Sequence, residues 1–214
     1  IYKKKYFLNI IMNRKINGHK LIIASHNQGK VSEIKDLLSR YKVDVSSSED
    51  FGMKEPEENG DSFEENALIK ASETAKFCRE IALSDDSGLC VDDLDGDPGI
   101  FSARWAGPKK DFLKASKDIE KKLIEIGSSN YSAYFICVLA VCWPDGESRI
   151  FKGKINGNLN FPPKGNLGFG YDPIFIPRNY DITFGEMDPI IKHKISHRSV
   201  AFDLFSRELL IEKE

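Results

Sequence analysis

Clustered cysteine ligands, a surplus of positive charge and long apolar runs are all missing from this 214-residue chain. The four cysteines, Cys78, Cys90, Cys137 and Cys142, sit inside apolar stretches without CxxC or Cys/His spacing. Buried thiols in a reducing cytoplasm are therefore the expectation, with no disulfide framework and no zinc site. A net charge of -2 gives no bulk field for wrapping a nucleic acid polymer. Any phosphate must then be held by a few placed Lys and Arg side chains. No stretch approaches the roughly 20 apolar residues that a membrane helix needs. Internal repeats, low-complexity tracts and the GxxxxGK[ST] phosphate loop are absent as well.

What is present is the composition of an ordinary globular chain. With 41% hydrophobic and 30% charged residues, it can build one substantial domain or two small lobes sharing a cleft. The basic start followed by Tyr6–Met12 imitates a signal peptide, but Asn9 interrupts the apolar run and no small-residue cleavage site follows. Residues 1–18 read as a poorly ordered extension or a misassigned start, and 19–214 as a single domain of two lobes.

Along that domain, Lys20–Ser25 reads as a buried strand entering a loop. A helix follows with Ile34, Leu37, Leu38 and Tyr41 at helical spacing, then a strand at Val43–Val45 and a polar, acidic loop over Ser46–Gly60. Ser62-Phe-Glu-Glu65 is a capping box opening a helix with Leu68, Ala71, Ala75 and Cys78 on one face and Asn66 and Lys70 on another. Ile81–Ser84 and Leu89–Leu94 read as two strands flanking a turn at Asp85-Asp86-Ser87-Gly88. Phe112, Ala115, Ile119, Leu123 and Ile126 mark a further amphipathic helix. Tyr131–Trp143 and Glu147–Leu159 are strands of a hairpin turned by Pro144-Asp145-Gly146. A glycine-rich loop at Gly165–Gly170 leads into Tyr171–Ile176, and a last helix from about Ser196 buries Ala201, Leu204, Phe205 and Leu209. The sum is an α/β fold whose central sheet is only partly parallel.

Five segments carry candidate chemistry. Ser25-His26-Asn27-Gln28-Gly29-Lys30 lies where a strand gives way to a helix, and free amides plus a lysine make a phosphate seat there; the same residues also suit a simple turn. Two adjacent carboxylates, Asp85 and Asp86, need cations to offset their repulsion, and hard divalent ions such as Mg2+ take such oxygens together with substrate phosphates. An isolated pair of this kind is equally a solvated acidic turn. Glu57-Glu58 could add a further metal oxygen. Gly168-Phe169-Gly170-Tyr171-Asp172 sets aromatics between glycines, where a ring can stack on a nucleobase or simply pack in the core. Lys192 and Ser196-His197-Arg198 gather donors at a helix start. Arg198 only donates, so it suits a purine O6 acceptor and not an adenine amino group; the same residues also suit surface charges behind a simple Ser196 N-cap.

The ordered set ASHNQGK, ENGDSFEENALIKA, SDDSGLCVDDLDGDPGIFSARWAG, GFGYDPIF and K(x)3SHR closely resembles the inosine triphosphate pyrophosphatase family, from about Lys20 to about Leu210. The resemblance implies a mixed central sheet with flanking helices, two lobes around a nucleotide-binding cleft, and a homodimer. It implies hydrolysis of ITP, dITP and XTP to the monophosphate and pyrophosphate with Mg2+. It assigns Ser25, His26, Asn27, Gln28, Gly29, Lys30 and Lys70 to the triphosphate, Glu58 and Asp86 to the metal, and Asp86 to proton acceptance from water. Ser87 is assigned to a substrate contact beside Asp86; Phe169, Gly170, Tyr171 and Asp172 to the base; and Lys192, His197 and Arg198 to closing over it. Ser25, Phe101, Trp105 and Lys164 depart mildly from the family's usual Thr, Tyr, Tyr and Arg. A pyrophosphatase for other modified nucleotides and a non-catalytic nucleotide sensor are the rival readings.

Overall fold

The computed structural model describes residues 14–212. In chain order the elements are β1 (Lys20–Ala24), α1 (Gln28–Leu38), β2 (Asp44–Ser47), α2 (Phe63–Cys78), β3 (Ile81–Val91), α3 (Ser102–Trp105) and α4 (Phe112–Glu125). Then come β4 (Ser132–Cys142), β5 (Ser148–Leu159), β6 (Phe175–Pro177), α5 (Pro189–Ile195) and α6 (His197–Leu209). One six-stranded sheet runs in the order β2-β1-β3-β4-β5-β6. β1 is parallel to β2 and β3, while β3–β4, β4–β5 and β5–β6 are antiparallel, so the sheet is mixed.

β3 corrects the sequence reading. No turn occurs at Asp85-Asp86-Ser87-Gly88; the strand continues through it, paired residue by residue with β4 from Ala82↔Cys142 to Val91↔Ala133. Successive side chains in a strand point to opposite faces. Leu83, Asp85, Ser87, Leu89 and Val91 therefore share one face, and Ala82, Ser84, Asp86, Gly88 and Cys90 the other.

On the first face there are two separate cores. Leu83 joins Val31, Ile34 and Leu37 of α1 with Ala201, Phe202 and Phe205 of α6. Leu89 and Val91 join Ala115, Ile119 and Leu123 of α4 with Phe175 and Phe184. Asp85 and Ser87 are the polar interruption between the two cores. The opposite face packs Ala67, Ala71 and Ala75 of α2 on Ala82, Val138 and Ala140.

Several local expectations shift by a residue or a face. Ser62 caps α2 by accepting from Glu65 N at 3.1 Å, but Glu65 reaches back to Asp61 N rather than to Ser62. Part of the expected acidic loop is ordered as the end of β2 and a short 3-10 turn at Ser48–Phe51. Leu204 is exposed, because a step of three from Ala201 falls short of a full turn and off the sheet-facing stripe, while a step of four reaches buried Phe205. Ile126 lies past the end of α4 and is exposed. Residues 14–18, expected within an extension, are packed. Ile16 is fully buried and donates its N–H to Leu209 O, and Arg14 pairs with Asp145 and Glu147 at 2.8 Å each. The rest of that expected extension, 1–13, lies outside the described residues.

Gly153 of β5 sets where α6 begins. A Cβ there would lie 2.1 Å from His197 O and 2.4 Å from Ala201 N. Only a glycine lets the first turn of the helix come this close to the strand. Gly153→Ala is therefore expected to lower stability by about 1–3 kcal/mol through overpacking, read as a lower urea midpoint. An unchanged midpoint would show that α6 is free to move off β5.

Candidate active site

The interruption between the two cores opens into a cleft of about 370 Å³. Its walls include all the expected site residues except His26, Gln28, Gly29 and Asp86. The first three lie in the β1–α1 turn and the first turn of α1. Asn27 is the N-cap of α1, accepting from Lys30 N at 3.3 Å, while its own N–H donates to Ser25 Oγ at 3.2 Å. The amides that begin α1 have no intrahelical partners, which makes this turn fit for an anion. His26 Nε2 lies 2.9 Å from Met53 O, and Gln28 Nε2 donates to Glu49 at 2.9 Å. Gly29 lies under the Phe169 ring, where a Cβ would come within 2.8 Å of the ring edge. The phosphate turn and the aromatic loop are thus in contact.

Asp85 and Asp86 occupy different worlds on the two faces of β3. Asp85 is buried beneath the cleft. Its Oδ1 pairs with Lys30 Nζ at 2.7 Å and accepts from Ser87 Oγ at 2.8 Å. Its Oδ2 accepts from Arg198 Nε at 2.7 Å and from Cys137 Sγ at 3.1 Å. Burial opposes its ionisation, but Arg198 and Lys30 outweigh burial and hold the carboxyl well below its ordinary value.

Asp86 faces α2. Lys70 Nζ donates to Asp86 Oδ1 at 2.7 Å, to Asp85 O at 3.0 Å and to Glu58. Burial raises the Asp86 carboxyl to about 6, helped by neighbouring Glu58 and opposed by Lys70 and Lys30. Glu58 is shifted down, since Lys70 and Lys30 outweigh its burial. The dyad therefore places its weaker acid, the better proton acceptor, on Asp86. In this arrangement Asp86 lies behind Lys70 and Glu58 rather than on the cleft wall.

At the other end, α5 and α6 bring in Lys192, His197 and Arg198. Lys192 Nζ donates to Asp172 at 2.7 Å and to Glu33 at 2.9 Å. Arg198 donates to Glu33, Asp85 and, at 3.1 Å, Ser87 Oγ. The His197 ring stacks on Phe135 at 4.8 Å and is driven to its neutral form by burial and by Arg198. Its Nδ1 is buried without a partner. Asp172 also accepts from Phe169 N at 2.7 Å, which fixes the aromatic loop, and Tyr171 donates to Ser102 O at 3.0 Å.

Glu33 is the functional residue that the sequence concealed. It projects from α1 and ties Lys192 to Arg198. The available signal was its position three residues after Lys30 and four before Leu37, on the inward face of the helix. Arg198 and Lys192 outweigh burial and lower its carboxyl from 4.5 to about 2. A depressed folded value means that the stabilisation is fully present above about pH 4.5 and is lost as pH falls toward about 2. Glu33→Gln is thus expected to cost about 3 kcal/mol at pH 7, with the gap to the parent narrowing below pH 4. A gap of the same size at every pH in denaturant titrations would show that ionic pairing is not what the variant loses.

The family model described as the Ham1 family matches residues 21–208. The dITP/XTP pyrophosphatase of Rhodopseudomonas palustris is 47% identical over 201 residues, covering 89% of this chain and 95% of that protein. That of Caulobacter vibrioides is 49% identical over 185 residues, covering 86% and 95%. A HAM1 protein from Coxiella burnetii superposes with a TM-score of 0.82 at 35% identity, covering 88% of this chain and 97% of the other. A nucleoside-triphosphatase / dITP/XTP pyrophosphatase from Mycobacterium abscessus does so with 0.71 at 37%, covering 87% and 98%. With its motifs gathered in one cleft and a family model spanning nearly the whole domain, the chain belongs to the Ham1 family.

Proposed function

We propose that this chain hydrolyses deaminated purine nucleoside triphosphates, ITP, dITP and XTP, to the monophosphate and pyrophosphate. The observation that carries the reading is one cleft lined by Glu58, Lys70, Lys192 and Arg198, with Asp86 behind Lys70 as the second carboxylate of a lysine-bridged dyad. Relatives named dITP/XTP pyrophosphatase support it.

The charge inventory supports Mg2+ as cofactor. Lys30, Lys70, Lys192 and Arg198 are already paired with Glu33, Glu58, Asp85, Asp86 and Asp172, so the cations are outnumbered before a polyanion arrives. Glu58 and Asp86 converge on the Lys70 ammonium, an all-oxygen donor pair around a positive charge, which suits a hard divalent ion. When bound there, Mg2+ would neutralise the charge that develops on the triphosphate.

The chain's own groups do the remainder. Lys30 and the α1 amides hold the phosphates in line for attack at the α-phosphorus. Asp86 accepts the proton of the attacking water. Phe169 covers the base, and the donors of Arg198 meet O6 while turning away an adenine amino group. A homodimer and a cytoplasmic setting complete the reading, supported by the family resemblance and by four free thiols; no helix among the described residues is long and apolar enough to cross a membrane.

The test is product analysis with ITP, XTP, GTP and ATP, with and without Mg2+. Conversion of ITP and XTP to monophosphate and pyrophosphate, with ATP and GTP nearly inert, is expected. Diphosphate and orthophosphate would refute attack at the α-phosphorus. Tight ITP binding without turnover would make the chain a nucleotide sensor.

A further inference from the structure

Glu58 is held in an unusual way. Residues 54–59 make no backbone–backbone hydrogen bond among the described residues. The segment is tied at its ends, Met53 O to His26 and Gly60 N to Asn66 Oδ1 at 2.9 Å. Between these ties, two contacts fix Glu58: Lys70 Nζ on its carboxylate and Arg104 Nη2 on its carbonyl. Arg104 comes from a segment 46 residues further along the chain. Its helix α3 sits on the second core through Trp105 and Ala106 and is pinned by Ser102, whose Oγ accepts from Leu89 N at 3.0 Å and donates to Gly99 O at 2.7 Å. The guanidinium lies 5.1 Å from the Phe101 ring centroid, a further restraint on its direction. Arg104 and Glu58 both line the cleft.

We propose that Arg104 is a positioning residue that holds the backbone of Glu58, and through it the metal-binding carboxylate, in place. The inference rests on the reading of Glu58 as a metal ligand. In that reading Lys70 must share its ammonium with an arriving phosphate, and the carboxylate then loses part of its side-chain anchor. The carbonyl contact from Arg104 is independent of that exchange. It keeps Glu58 aimed while Lys70 changes partners. A single exposed hydrogen bond sets the scale of the effect at roughly three- to tenfold.

The experiment compares the parent with Arg104→Ala, Glu58→Gln and the double variant. Arg104 is exposed, so its truncation should leave the fold intact. In Arg104→Ala the Mg2+ concentration for half-maximal ITP turnover should rise roughly three- to tenfold, with KM for ITP at saturating Mg2+ unchanged. The double variant should be no worse than Glu58→Gln alone, as expected for residues acting through one another. Without metal or nucleotide, amide exchange over residues 54–60 should quicken in Arg104→Ala. Unchanged exchange there overturns the proposal. So does a raised KM for ITP with an unshifted Mg2+ midpoint and multiplying effects, which would make Arg104 a direct nucleotide contact. Should Glu58→Gln leave the Mg2+ dependence untouched, the metal reading fails while the exchange result still decides what Arg104 holds.

Discussion

Asp86→Asn is expected to reduce ITP turnover by about 10²–10⁴-fold, the scale of a lost general base, while the folded state survives. The geometry separates the two effects. Removing the Asp86 charge does not orphan Lys70, which keeps Glu58 and Asp85 O as partners. Asparagine has the size and shape of the residue it replaces, so the contact with α2 stays filled. What disappears is the carboxylate that the proposed mechanism assigns to the proton of the attacking water. Steady-state pyrophosphate release and a urea unfolding curve on the same preparation are the measurements needed. Near-normal release by a well-folded Asp86→Asn protein would remove Asp86 from the mechanism.

The neighbouring substitution should fail in a different manner. Asp85→Asn is expected to destabilise the fold by about 3–5 kcal/mol, the cost of breaking a buried pair from one side. All of its carboxylate oxygens are engaged, with Lys30, Ser87, Arg198 and Cys137. An amide in that position would turn a donor toward at least one of these donors and leave the charges of Lys30 and Arg198 under-compensated in the interior. Activity should fall as well, since Lys30 and Arg198, both held by this carboxylate, line the cleft. The adjacent pair thus predicts one variant that is folded and inactive and another that is unstable. A chemical denaturation midpoint for Asp85→Asn equal to the parent's would show that Asp85 is not the brace between those cations.

The sequence disclosed the elements governed by local rules. The Pro144–Gly146 turn set the hairpin, and β4 and β5 begin and end close to the expected limits. Helical spacing found α1, α2, α4 and α6. The reading broke where distant partners override local preference. Adjacent aspartates suggest a turn because neither suits a strand; they stay in β3 because Lys30, Lys70 and Arg198 arrive from three helices to neutralise them. Glu33 looks like any solvated helix glutamate until Lys192 and Arg198, 159 and 165 residues away, are folded against it. Ile16 and Gly153 were missed for the same reason, since a single apolar residue or glycine has no period to betray it.

The continuity of β3 also governs how this protein can change. Loops absorb inserted or deleted residues, whereas a strand with neighbours on both sides answers every such event along its length. One residue added between Ser84 and Asp86 would turn each following side chain to the opposite face. The carboxylate now beside Lys70 would then meet Arg198, and the leucine and valine beyond would leave their core. The spacing within SDDSGL is thus fixed by the pleat of the sheet, and new substrates can be reached only by exchanging side chains around a dyad whose place in the chain cannot drift.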